Sequence, residues 1–135
     1  AADSIVGRVA VVASKAALMG HNVHIINCEK AVISGQRDAI LADADYHRGR
    51  PGRPTKGPFI LRNTDRYFRR IISRMLPRDN VRGRDAEHRI LCYTGMPPEL
   101  KDKKFHKVPG SEVSKLPNYL FITVDEICKH LGAKR

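Results

Sequence analysis

Apolar positions Ile5, Val9, Val12, Ala13, Ala16 and Ala17 return at three- and four-residue spacing, with Arg8 and Lys15 off that face. The spacing predicts a helix over residues 5–19, and Gly20 stands just past its end as a stop. Residues 23–27 are β-branched and apolar, the pattern of a short buried strand, and residues 31–33 form a second such run ended by Ser34-Gly35. Ser34 is placed to cap a helix over residues 36–46, with Asp38 favourable in its first turn. Helix, strand and helix in short alternating units point to an α/β fold with a mainly parallel sheet.

From residue 47 to 58 the apolar positions vanish, and Gly49, Pro51, Gly52, Pro54, Gly57 and Pro58 interrupt regular structure. We read residues 47–63 as an extended basic loop with too little apolar surface to fold alone. Residues 64–76 return to helical spacing. Tyr67, Phe68, Ile71, Ile72 and Met75 fall on one arc, and Arg66, Arg69, Arg70 and Arg74 on the opposite one. Asn63 or Thr64 can cap the start, and Pro77 follows the end. Residues 78–84 read as a polar, basic turn, residues 85–89 as a short helix and residues 90–93 as a strand stopped at Gly95-Met96-Pro97-Pro98. An irregular connection is expected over residues 96–118, then an apolar run over 119–122. Thr123 and Glu126 have capping-box spacing and open a last helix on which Ile127 and Leu131 share a face, ended by Gly132. There is no internal repeat, and residues 1–135 are read as a single domain.

Charge sharpens the picture. The chain carries a net +11, and residues 48–84 hold twelve cations against only Asp65 and Asp79, so the other 98 residues together carry +1. The twelve are Arg48, Arg50, Arg53, Lys56, Arg62, Arg66, Arg69, Arg70, Arg74, Arg78, Arg82 and Arg84. Arginine presents a planar, permanently charged fork that matches phosphate bidentately, whereas lysine acts as a point charge. A solubility surface would mix the two and intersperse acids. A local excess made almost wholly of arginine points to RNA, with most contacts fixing position rather than reading bases. Arg37 joins the candidate set. The Ser34-Gly35 helix start is a weak anion-site candidate. Tyr67 and Phe68 can stack on bases, as in single-strand binders, but their helical phase favours the core.

Other chemistries lack support. Cys28, Cys92 and Cys128 are odd in number and far apart, which argues against a disulfide framework and for a reducing, intracellular setting. His24 and Cys28 are four apart and Cys128 and His130 two apart, without the three or four convergent ligands of a zinc site, so no metal and no cofactor is expected. No apolar run reaches the roughly 18 residues of a membrane span. Glycine-rich nucleotide motifs are absent, which leaves an enzyme or small-molecule reading without local support.

Four stretches resemble the universal large-subunit ribosomal protein L-thirteen family in its archaeal and eukaryotic form. They are Ile5-Val6-Gly7-Arg8-Val9-Ala10; Ile26-Asn27-Cys28-Glu29-Lys30-Ala31-Val32-Ile33-Ser34-Gly35; Arg74-Met75-Leu76-Pro77 with Gly83-Arg84 and Ile90-Leu91-Cys92-Tyr93-Thr94-Gly95; and Gly57-Pro58-Phe59 with Val124-Asp125-Glu126-Ile127 and Leu131-Gly132. The resemblance makes Arg8, just after Gly7 near a helix start, a candidate RNA contact, with a solvated first-turn arginine the equal alternative, and Arg74 stands where the family usually has glycine. The family's opening strand is almost absent before Ala1, so a truncated N-terminus is expected, and no long basic tail follows Gly132, which favours an archaeal-like length. The resemblance implies a three-layer α/β/α fold around a four-stranded, largely parallel sheet, with a C-terminal extension. It implies a non-catalytic, cytoplasmic protein of the large ribosomal subunit that binds ribosomal RNA, touches neighbouring subunit proteins and joins early in assembly. The remaining alternative is a regulatory RNA-binding protein outside the ribosome, which the same arginines would serve.

Overall fold

The computed structural model describes residues 1–49, 57 and 59–133. Helix α1 spans Val6–Leu18, strand β1 Val23–Ile25, strand β2 Val32–Ser34 and helix α2 Arg37–Gly49. Helix α3 follows over Thr64–Ser73, α4 over Val81–His88, strand β3 over Ile90–Cys92, strand β4 over Phe121–Thr123 and helix α5 over Val124–His130.

Helix α1 buries Val6, Val9, Ala10, Ala13 and Ala17, so small and β-branched side chains let α3 and α4 approach it closely. Val12, expected on that face, is 46% exposed. The helix ends as glycine chemistry requires. Gly20 takes φ +99° while its N–H donates to Ala17 and that of His21 donates to Ala16, closing a Schellman turn.

Strands β1 and β3 pair in parallel with Val23 opposite Ile90, and β2 and β4 pair antiparallel with Val32 opposite Thr123. Instead of one four-stranded parallel sheet, the described residues form these two separate ladders. The reason is local. After β1 the chain turns left-handed at Asn27 (φ 53°) into a 3₁₀ turn over Cys28–Lys30, which separates β2 from β1. Residues 3–5 stitch across the gap: the Asp3 N–H donates to Lys30, the Val32 N–H donates to Ser4, and Ile5 makes a parallel bridge to Val32. The α/β class stands, with mixed rather than mainly parallel pairing.

The core has two parts. The larger gathers α1, Ile25, Phe68, Ile72, Leu76, Ala86, Ile90, Val124 and Cys128. The smaller is built on Ile122, Ile127 and Leu131, with Ile40, Leu41 and Ala44 of α2 leaning on it. Ile33 and Tyr67 touch both and join them. Phe68 and Ile72, each 0% exposed, anchor α3; burying each such side chain is worth about 1.5–3 kcal/mol. Helix α3 stops at Ser73, earlier than the expected 76, and Met75 turns outward at 42% exposure.

Three further expectations are corrected. Helix α2 runs on to Gly49, so His47 and Arg48 are helical and the basic loop starts later than residue 47. Its first residue is Arg37, while Ser34 closes β2, so Ser34 does not cap it. Residues 81–84 belong to α4, not to a turn, and the short helix expected at 85–89 is the second half of that element. At the C-terminal end Thr123 caps α5, its Oγ1 accepting from the Glu126 N–H at 3.3 Å, and Ile127 and Leu131 are both buried. The connection over 96–118 is irregular apart from 3₁₀ turns at Pro98–Leu100 and Val113–Lys115.

Candidate nucleic-acid interface

Opposite phases on α3 govern the interface. Phe68 and Ile72 turn inward, and Arg66, Arg70 and Arg74 follow one another at four-residue steps on the other side, one helical turn apart. Arg66 and Arg74 are exposed, and their side chains make no hydrogen bond or ion pair within the described residues. Arg70 is half-buried, and its Nη1 donates to the Phe59 carbonyl at 2.7 Å, which fixes the guanidinium against the chain entering α3.

Arg69 leaves this stripe. Asp65 lies one turn before it, yet the guanidinium donates through Nη2 to the Glu87 carbonyl at 3.0 Å, and no ion pair forms. Its Nε is buried without a partner, as is the Ser73 hydroxyl one turn on. Arg69 therefore braces α3 against the last turn of α4 and is a structural residue first.

Beyond α3, Arg78 is exposed in the turn after Pro77, and Arg84 is exposed on α4. Arg82 Nη2 donates to the Leu18 carbonyl at 3.2 Å, and Arg89 Nη1 reaches toward Ala17 at 3.5 Å, a weak contact. Both place positive charge at the C-terminal end of α1, where the helix dipole favours it. Arg89 was not among the sequence candidates. The signal that marks it is its place directly before β3, whose neighbour Val23 donates to the Arg89 carbonyl at 3.0 Å.

The outlying candidates do not join this surface directly. Arg8 Nη1 donates to the Gly110 carbonyl at 2.6 Å, tying α1 to the irregular connection. Some ten residues of α1, roughly 15 Å of helix rise, separate it from the carbonyls that Arg82 and Arg89 address. Arg37 is exposed in the first turn of α2 and Arg48 in the last. Arg62 is exposed, with its Nη1 3.7 Å from where a Cβ on Gly132 would stand. Arg50, Arg53 and Lys56 lie outside the described residues. At the Ser34-Gly35 anion-site candidate the Gly35 N–H is already engaged, donating to the Leu120 carbonyl at 2.9 Å.

Among the described residues the ion pairs use lysine and histidine, never arginine. Arg37, Arg48, Arg62, Arg66, Arg74, Arg78 and Arg84 show no side-chain hydrogen bond or ion pair among the described residues. An arginine surface left without acids attracts polyanions and holds them bidentately.

Burial pushes the Cys128 thiol up to about 12. Cys28 and Cys92 share a thiol hydrogen bond that lowers the former and raises the latter, and all three cysteines are free. His24 faces Tyr93, its Nδ1 3.3 Å from the hydroxyl with the rings stacked at 5.9 Å. His130 meets Asp45 at 2.8 Å. Among the described residues no three His, Cys, Asp or Glu side chains converge on a metal-sized site, and no helix is long and apolar enough to cross a membrane.

A family model described as ribosomal protein L13 matches residues 1–99. Among curated proteins, the large ribosomal subunit protein uL13 of Methanococcoides burtonii is 36% identical over 130 residues, covering 96% of this chain and 93% of the relative. That of Methanosarcina barkeri is 37% identical over 131 residues, with 96% and 93% covered. That of Haloarcula marismortui is 34% identical over 135 residues, with 100% and 90% covered.

Proposed function

The chain belongs to the ribosomal protein L13 family, and from that premise we propose that it is a non-enzymatic constituent of the large ribosomal subunit in the cytoplasm. On this reading it acts as one domain, binds large-subunit ribosomal RNA and joins the particle early in assembly beside neighbouring subunit proteins. The observation that supports RNA binding is the α3 stripe: the Arg66 and Arg74 side chains stand exposed with no partner among the described residues, on a helix fixed to the core by Phe68 and Ile72. Rigid placement matters, because a guanidinium held in position loses less conformational freedom when it grips a phosphate. Arg78 and Arg84 extend the grip along the next turn and helix, and Arg48 and Arg62 widen it. The candidate loop residues Arg50, Arg53 and Lys56 would add to the same polyanion.

The test is sucrose-gradient fractionation of lysate at low and then moderate salt, with detection of this protein. Co-migration with the large subunit that survives moderate salt and vanishes on ribonuclease treatment is the expected result. A protein found only at the top of the gradient under gentle conditions overturns the proposal and returns the question to a free regulatory RNA-binding role.

A further inference from the structure

Helix α2 buries none of its own residues. Its Ile40, Leu41 and Ala44 lean on the smaller core, and between α2 and α3 the chain leaves a cavity of about 580 Å³ floored by Ile33, Ile40, Ile71 and Leu131. It opens to solvent, and a largely apolar cleft of this size falls in the range of small-ligand sites.

We propose that this cleft receives one unstacked nucleobase of the bound RNA, with the adjoining phosphate held by Arg70 and Arg74. The inference rests on the RNA-binding reading above and adds a base-sized site to it. Three observations carry it. First, Arg70 and Arg74 line the cleft and belong to the α3 stripe, so a backbone gripped there runs past the opening. Arg70 is already fixed by the Phe59 carbonyl at 2.7 Å. Second, the walls offer aromatic surface: Tyr67 is half-buried and Phe59 is 63% exposed. Single-stranded RNA is commonly recognised by splaying a base onto such a ring. Third, Gln36 and Asp43 on the α2 side supply polar groups for a base edge. The Asp43 carboxylate, with His47 Nε2 3.6 Å from Oδ1, keeps its other oxygen as an acceptor and so suits a base with an exocyclic amino group. It disfavours an acidic peptide, the other polyanionic occupant the arginines would attract.

The test uses the full chain and deproteinised large-subunit ribosomal RNA. Ultraviolet crosslinking with mass spectrometry is expected to place a nucleotide adduct on Tyr67 or Phe59. Ala39→Trp, on the exposed face of α2 beside the cleft, is expected to fill it and weaken binding about tenfold, the scale of one lost base stack, with the salt dependence unchanged. Unchanged affinity together with no adduct at either ring, while the unaltered chain still binds with steep salt dependence, overturns the cleft proposal alone. No binding by the unaltered chain overturns the RNA reading as well. A cleft crosslinked to a peptide of a neighbouring protein in intact subunits also overturns the proposal. The adduct measurement needs no variant and stands even where Ala39→Trp fails to fold.

Discussion

A Cβ placed on Gly83 would stand 1.9 Å from the Pro77 carbonyl oxygen, which is backbone and cannot swing aside. Alanine is the better helix former by about 1 kcal/mol, but overpacking against a fixed atom costs more. Gly83→Ala is therefore expected to destabilise the protein by about 2–3 kcal/mol in urea titration. Gly7 provides the contrast: it is also helical, with nothing within 4 Å of an added Cβ, and Gly7→Ala should stabilise by about 0.5 kcal/mol. A second residue-level effect is read in pH. Cys128 has its thiol raised from an ordinary value near 9 to about 12 by burial. Above pH 9 the unfolded chain loses this proton while the folded one keeps it, so stability falls as pH rises from 9 to 12 and is intact below 9. The slope from this group is at most about 1.4 kcal/mol per pH unit, and stability–pH curves of Cys128→Ala should lack that share. The glycine contact was not legible in the sequence, because nothing local to Gly83 reveals that the Pro77 carbonyl folds back upon it.

Elements whose periodicity is strong were readable, and α3 is the clearest. Its inward and outward arcs were set by residue spacing alone, and Phe68 and Ile72 are fully buried where that spacing put them. What spacing could not assign was the division of labour within the arginine arc, which depends on α4. Arg66→Ala and Arg74→Ala remove side chains with no partner among the described residues, so each should weaken RNA binding and make the log–log salt slope shallower by about 0.7–0.9, with thermal stability unchanged. Arg69→Ala should do the reverse: it deletes the hydrogen bond to Glu87 and lowers stability by about 1–2 kcal/mol, with little change in salt slope. Equal slope changes at all three positions would refute this division. Helix α4 itself was half missed because Gly83 and the charged residues around it read as a turn. The available signal was Asn80, a favoured N-cap residue directly before Val81.

At the scale of the molecule, the α/β class was legible, but the sheet was not. Strands of three residues carry too little pattern to reveal their partners, and pairing was decided by distant events: the left-handed Asn27 and the stitch from residues 3–5 to β2. Charge was legible at once, because +10 of the net +11 lies within residues 48–84. A charge count alone does not say whether the molecule works as a positive surface or as a set of aimed forks. The two are separable on the whole chain. Six to ten phosphate contacts give an expected log–log salt slope on the order of −4 to −9. Replacing Arg66, Arg70 and Arg74 together by lysine conserves net charge, so a purely electrostatic surface would keep both slope and affinity. If instead α3 presents guanidinium planes to particular phosphates, the slope stays near its original value while affinity falls by about tenfold or more, because lysine cannot make the paired hydrogen bonds. We expect that second outcome, read by filter binding across a salt series. Unchanged affinity in the triple variant would mean that the arginine stripe acts through charge alone.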